Sequence, residues 1–216
     1  MRSLVVTRFL AAFMVLVLLP FLAAAQTPTP SIPAPSNDAL ADAQELFRKA
    51  DFRGAAAAFQ KIVETRPSPE AYSGLVRSLL KADDVKAADE ASQKALAALP
   101  KSVLAHAARG DVYFRRGMVP EAETEYQTAI KLDDKTSRAW LGQGNVDSIY
   151  SRRSKSKAAI TKAHELDTRD GDALYEWAIR QPYPENVAAL EKHLAEYHND
   201  PDEERHEREY KDFVKA

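Results

Sequence analysis

Residues 102–132 read SVLAHAARGDVYFRRGMVPEAETEYQTAIKL. The first half places Val103, Leu104, Ala107, Ala108, Val112, Tyr113 and Phe114 at the spacing of an amphipathic helix, predicted over Ser102 to Arg115. Arg116-Gly117 supplies a turn, and a second helix begins near Val119-Pro120-Glu121. Proline is tolerated there because an N–H in the first helical turn has no partner to lose. The second helix carries Ala122, Tyr126, Ala129, Ile130 and Leu132 on one face. The segment is a helical hairpin, and its landmarks recur outward in both directions. Ala43, Val76, Gly110, Gly144 and Ala178 follow one another at steps of 33, 34, 34 and 34. Ala55, Ala88, Ala122 and Ser156 keep the same beat, as do Ile62, Ala95, Ala129 and Ala163. A fixed period in this range predicts stacked copies of one helical unit, an architecture that offers an extended surface to other chains.

Gly110, Tyr113, Gly117, Ala122, Tyr126 and Ala129 stand in the order of the tetratricopeptide repeat pattern, which this chain resembles. Trp140 with Gly144, Ala50-Asp51-Phe52 with Ala55, Phe59 and Pro67, and Ala88 with Ala95 and Pro100 extend the likeness. The resemblance covers four units across Asn37 to Thr168, and Leu174, Ala178, Leu190 and Leu194 suggest a degenerate fifth. It implies an all-α, right-handed solenoid of helical hairpins. Small residues let neighbouring helices approach and aromatics fill the remaining gaps, so a bulky side chain at Gly110 or Gly144 should overpack, at a cost of about 1–3 kcal/mol. The fourth unit departs from the pattern at Asp147, Arg153 and Ser156, and is expected to be the loosest. The fifth has a proline-broken turn, Gln181-Pro182-Tyr183-Pro184. Beyond it Asp200-Pro201-Asp202-Glu203 reads as the start of a capping helix with a wet outer face, ending in Tyr210, Phe213 and Val214.

The N-terminus is of another kind. Arg2 and Arg8 precede an unbroken apolar run, Phe9 to Leu19, followed by Pro20 and the small residues Ala23-Ala24-Ala25. This is the layout of a secretory signal peptide cleaved after Ala25. A retained anchor is the rival reading, weakened by the proline and by a run shorter than the roughly 20 residues a bilayer span needs. Gln26 to Ser36 carries four prolines and no charge, the composition of an extended tether. The expected organisation is therefore a signal peptide over 1–25, a linker over 26–36, four repeats over 37–168, and a fifth hairpin with its cap over 169–216. The style of the signal points to a bacterial periplasm or cell envelope. Loss of Arg2 and Arg8 moves the formal net charge from −2 to −4, which argues against general nucleic-acid binding.

No phosphate loop, nucleophile elbow or dinucleotide fingerprint occurs, and with no cysteine thiol chemistry is impossible. His193, His198 and His206 are expected to be solvated surface residues. His206-Glu207-Arg208-Glu209-Tyr210 begins like a zinc-protease helix but has Tyr210 where the second histidine belongs. His106 occupies a large-aromatic slot and is expected to be packed and hydrogen-bonded. No catalytic residue, metal or cofactor is expected.

In arrays of this family the first helices line the concave face. Carrying over the family's contact positions marks Leu40, Gln44 and Phe47, then Ser73, Arg77 and Leu80, then Ala107, Asp111 and Phe114, and finally Leu141, Asn145 and Ser148. Of these, Gln44, Phe47, Arg77, Leu80, Asp111, Phe114, Leu141 and Asn145 are the groove candidates for a docked peptide or helix. The lysine–asparagine clamp of the chaperone-tail branch is matched only at Asn145. A second candidate is the basic run Arg152, Arg153, Lys155 and Lys157, a dock for an anionic partner such as a lipid head group, an acidic protein or a cell-wall polymer. The expected function is non-catalytic protein binding or scaffolding in the envelope, by a monomer that touches membrane only through an uncleaved N-terminus, if at all. The alternative is a remnant or regulatory arm of a larger exported enzyme, similar to aspartyl proteases. No Asp-Thr-Gly or Asp-Ser-Gly triplet is present to supply that catalytic domain.

Overall fold

The computed structural model describes residues 37–182, 184–196, 208, 210 and 211. The proposed signal peptide and linker, the capping-helix start at Asp200, and His198, His206, Phe213 and Val214 lie outside the described residues. Among the described residues ten helices form five hairpins: α1 (Asn37–Arg48) with α2 (Phe52–Thr65), α3 (Pro69–Lys81) with α4 (Val85–Ala98), and α5 (Val103–Arg115) with α6 (Val119–Leu132). The chain continues with α7 (Ser137–Ile149), α8 (Arg153–Leu166), α9 (Gly171–Ala178) and α10 (Glu185–Glu196). The helices predicted in the third unit are α5 and α6, with Ser102 serving as N-cap of α5 and Pro120 in the first turn of α6.

Local chemistry starts and stops these helices. Asp51, Ser68, Asp84, Ser102 and Asp170 each accept a hydrogen bond from an otherwise orphaned backbone N–H at the start of α2, α3, α4, α5 and α9. The turn inside each of the first four hairpins passes through one residue of left-handed conformation: Ala50 (φ 58°), Asp83 (φ 62°), Gly117 (φ 73°) and Ser151 (φ 57°). These four positions repeat at the period of the sequence, so the same turn is built four times although only one copy uses glycine.

Consecutive odd-numbered helices are neighbours, whereas among the described residues consecutive even-numbered helices are not. The hairpins therefore stack into a solenoid with α1, α3, α5, α7 and α9 on the inner wall. The periodic small residues are the packing points. Ala43, Ala55, Val76, Ala88, Ala122, Ala129, Ala163 and Ala178 are all fully buried. A Cβ added at Gly110 would stand 2.6 Å from the Tyr126 ring, and one at Gly144 would stand 2.5 Å from Ile160. Gly142 and Gly74, absent from the sequence series, are equally tight, against Tyr126 and Phe59.

Two expectations change. The fourth hairpin is not loose, because Ile160 is fully buried against Gly144 and the unusual Asp147 is buried and paired with Arg152 at 3.1 Å. A carboxylate is accommodated at this buried position because its counter-ion arrives from the following turn. His193 is not a solvated surface residue: it is 2 % exposed and lies 5.4 Å, centroid to centroid, from the ring of Tyr175. His106 is the packed histidine expected, with Nδ1 2.7 Å from Glu125 and Nε2 3.2 Å from the carbonyl of Pro100.

Candidate functional site

Residues one helical face apart on α3, α5, α7 and α9 converge on the inner wall, and their charges meet there. Arg77 of α3 reaches Asp170 at 3.2 Å and Asp172 at 3.4 Å, while Lys81 contacts the other oxygen of Asp172 at 3.0 Å. Arg138 of α7 donates from Nε to Asp111 at 2.8 Å and contacts Asp172 through a terminal nitrogen at 3.1 Å. Asp111 also accepts the Tyr126 hydroxyl proton at 2.8 Å. Three cations and three carboxylates thus tie the second, third, fourth and fifth units together across the concave face.

The balance of terms in this bridge is legible at Asp172. Burial opposes its ionisation, but Lys81, Arg138 and Arg77 outweigh that and hold the carboxyl well below its ordinary value. Tyr126 is pushed the other way: its complete burial and the adjacent Asp111 carboxylate raise the phenol well above the usual range. One donor is left over. Arg77 Nε is buried without a hydrogen-bond partner, and its guanidinium lies 4.9 Å from the centroid of the Phe47 ring.

The bridge divides the concave face into two chambers that share Arg77, Lys81 and Asp172 as a common wall. The first, about 460 Å³, is lined by Gln44, Phe47, Phe52, Phe59, Ser73 and Leu104 among others. The second, about 300 Å³, is lined by Leu80, Asp111, Phe114, Tyr126, Leu141 and Asn145. All eight groove candidates line one chamber or the other. Of the remaining marked positions, Ser73 lines the first chamber, Leu40 packs against the first core and Ala107 is fully buried between α6 and α7. Ser148 is exposed and lines neither chamber.

Sequence reasoning missed Lys81, Arg138, Asp170 and Asp172, yet a signal for two of them was present. Glu70, Leu104, Arg138 and Asp172 succeed one another at the 34-residue step, three positions before Ser73, Ala107, Leu141 and Tyr175. Positions i and i+3 share a helical face, so this row had to face the groove as well. Asp170 carried no such periodic signal, since it precedes α9 as its N-cap.

The basic run is divided by its surroundings. Arg152 is held by Glu123 at 2.6 Å and Asp147 at 3.1 Å, and lies 4.5 Å over the Tyr150 ring. Arg153, Lys155 and Lys157 are exposed.

The tetratricopeptide repeat-like domain family matches residues 33–149, more than half of the chain, and the protein belongs to that family. Its fold is similar to that of a thermophilic tetratricopeptide repeat protein of Thermus thermophilus, with a TM-score of 0.62 at 18 % identity, over 83 % of this chain and 99 % of that one. It is also similar to the APC/C hetero-tetramer Cut9-Hcn1, with a TM-score of 0.66 at 18 % identity, over 87 % of this chain and 40 % of that one. At such identities the likeness establishes the fold alone. No curated protein matches the chain. Tetratricopeptide folds are typical protein–protein interaction modules.

Proposed function

We propose that this protein is a non-catalytic adaptor of the cell envelope that seats a peptide or helix of another protein in its concave face. The observation that carries the reading is the pair of chambers. Each joins an apolar floor, Phe47 with Phe59 in one and Phe114 with Leu141 in the other, to polar groups that can orient a ligand. Gln44 and Ser73 supply these in the first chamber, and Asn145 in the second. Arg77 and Asp111 act in this reading mainly as framework, since both are tied into the bridge, and the partner's specificity falls to residues outside it.

The export part of the proposal rests on the first 25 residues, with cleavage after Ala25. It predicts that protein recovered from an envelope fraction begins at Gln26 on N-terminal sequencing, and a protein still beginning at Met1 would replace the exported adaptor by an anchored one.

The groove is tested by filling it without touching the bridge. Ser73→Trp would obstruct the first chamber and Asn145→Trp the second. Crosslinked capture from native envelope is compared for the parent chain and both variants, with circular dichroism as the check on folding. A protein retained by the parent and lost by a folded variant supports concave-face binding. Equal capture by all three removes it.

A further inference from the structure

We propose that the turn between α7 and α8 is a peripheral docking surface for an anionic phospholipid bilayer. Among the described residues three large apolar side chains are exposed, and two of them, Ile149 (60 %) and Tyr150 (39 %), are adjacent at this turn. Directly after them come Arg153, Lys155 and Lys157, all exposed and none within ion-pair distance of a carboxylate among the described residues. Residues 149–158 contain no acidic residue, in a chain whose formal net charge is −2. The patch is thus a local reversal of charge joined to uncovered apolar surface.

The geometry selects a surface over a single ion. At 100° per residue, Arg153 and Lys157 stand on one flank of α8 and Lys155 on the other, either side of the exposed face. Cations that diverge in this way cannot converge on one phosphate, whereas a plane of head groups meets all of them. Ile149 and Tyr150 are exposed at the turn that leads into α8, where an aliphatic side chain can enter the acyl boundary and an amphipathic ring can sit at head-group level. Arg152 completes the arrangement without joining it: pinned by Glu123 and Asp147, it lies over the Tyr150 ring. No helix among the described residues is long and apolar enough to cross a membrane. A lysine or arginine near an anionic surface is worth roughly five-fold in partitioning. Loss of all three should weaken binding on the order of 100-fold.

The chain has no cysteine, so a single introduced thiol can be labelled cleanly. An environment-sensitive fluorophore is placed in the full chain at Ile149→Cys, and in a control at Leu132→Cys. Leu132 is 47 % exposed but ends α6, before the start of α7, and Ile149 is the last residue of α7, whose 13 residues span about 20 Å. Vesicles of phosphatidylcholine alone and of phosphatidylcholine mixed with phosphatidylglycerol are added to each. The expected result is a blue shift at position 149 with the anionic vesicles only. It should disappear in about 1 M salt, where screening acts over about 3 Å, and in the Arg153→Gln, Lys155→Gln, Lys157→Gln background. The Leu132 probe should not respond. A response with phosphatidylcholine alone, or one unchanged in the triple variant, would overturn the proposal. So would a silent probe at 149 while an acidic protein is captured through the three cations, which would make the patch a protein dock.

Discussion

Arg77 and Asp172, 95 positions apart, meet at 3.4 Å across the concave face, and with them the second unit closes on the fifth. Lys81 and Arg138 pair with the same carboxylate, at 3.0 and 3.1 Å. Asp172→Asn keeps the shape but removes the charge that three cations share. Since these side chains are 20–27 % exposed, the loss should be moderated by solvent, about 1–2 kcal/mol at neutral pH. The folded carboxyl binds its proton less tightly than the unfolded one, so this contribution is complete above the ordinary value of about 4 and is lost as pH falls below it. Urea unfolding of parent and variant at neutral pH and near pH 3 checks both statements. The gap between the two should shrink on acidification, and a gap independent of pH would show that Asp172 acts by packing alone.

Tyr126 is wedged between two glycines of successive units, Gly110 and Gly142, and its ring occupies the space a Cβ would need at either. The ring is buried and its hydroxyl is held by Asp111 at 2.8 Å, so moving it aside would cost that hydrogen bond. Gly142→Ala should therefore destabilise by about 1–3 kcal/mol despite alanine's better helix propensity. Tyr126→Leu in the same background should recover part of that loss by vacating the space. Denaturation midpoints of the two single variants and the double variant form the test, and simple additivity would contradict the wedge.

The repeat made the fold readable because close packing demands the same small residue at the same step in every copy. Ala43 through Ala178 obey that demand. The groove candidates were legible through the family resemblance, whose contact positions fall on Phe47, Leu80 and Phe114 once the repeat register is fixed. The bridge was not. Whether Arg77 meets a ligand or Asp172 depends on how far the solenoid curls, and curvature sums small rotations that no single residue announces. Arg152 makes the same point: in sequence it is one of four like charges, but Glu123 of the preceding unit removes it from the group. Gly142 escaped because its requirement comes from the preceding hairpin, not its own.

His164 on α8 stacks on Trp177 of α9 with ring centroids 4.5 Å apart, and its Nδ1 is buried without a hydrogen-bond partner. Burial, and then the nearby Lys192, lower its affinity for a proton, against smaller opposing pulls from Glu165 and Asp167. Above the ordinary histidine value of about 6.5 both folded and unfolded chains are neutral here, and stability is flat with respect to this residue. As pH falls through that value the unfolded chain takes up its proton first, so stability declines. Thermal melts at pH 7.5 and about 5.5 should show the decline in the parent and a smaller one in His164→Phe, which keeps the stack. Equal declines would place the acid sensitivity elsewhere.

Ala50 and Gly117 occupy the same left-handed turn position in two hairpins, with φ of 58° and 73°. An L-residue with a Cβ is strained there by about 1–2 kcal/mol, whereas glycine is not. Glycine's greater freedom in the unfolded chain returns about 0.5–1 kcal/mol of that advantage. Ala50→Gly should consequently stabilise the first hairpin by about 0.5–1 kcal/mol, and Gly117→Ala should destabilise the third by a similar amount. A Cβ at Gly117 would meet nothing within 4 Å, so the second change isolates backbone strain from packing. Because repeat arrays open unit by unit, amide hydrogen exchange is the apt measurement. Protection in α1 and α2 should rise in the first variant, and protection in α5 and α6 should fall in the second. Changes of the same sign in both would mean that the turns differ in more than their backbone angle.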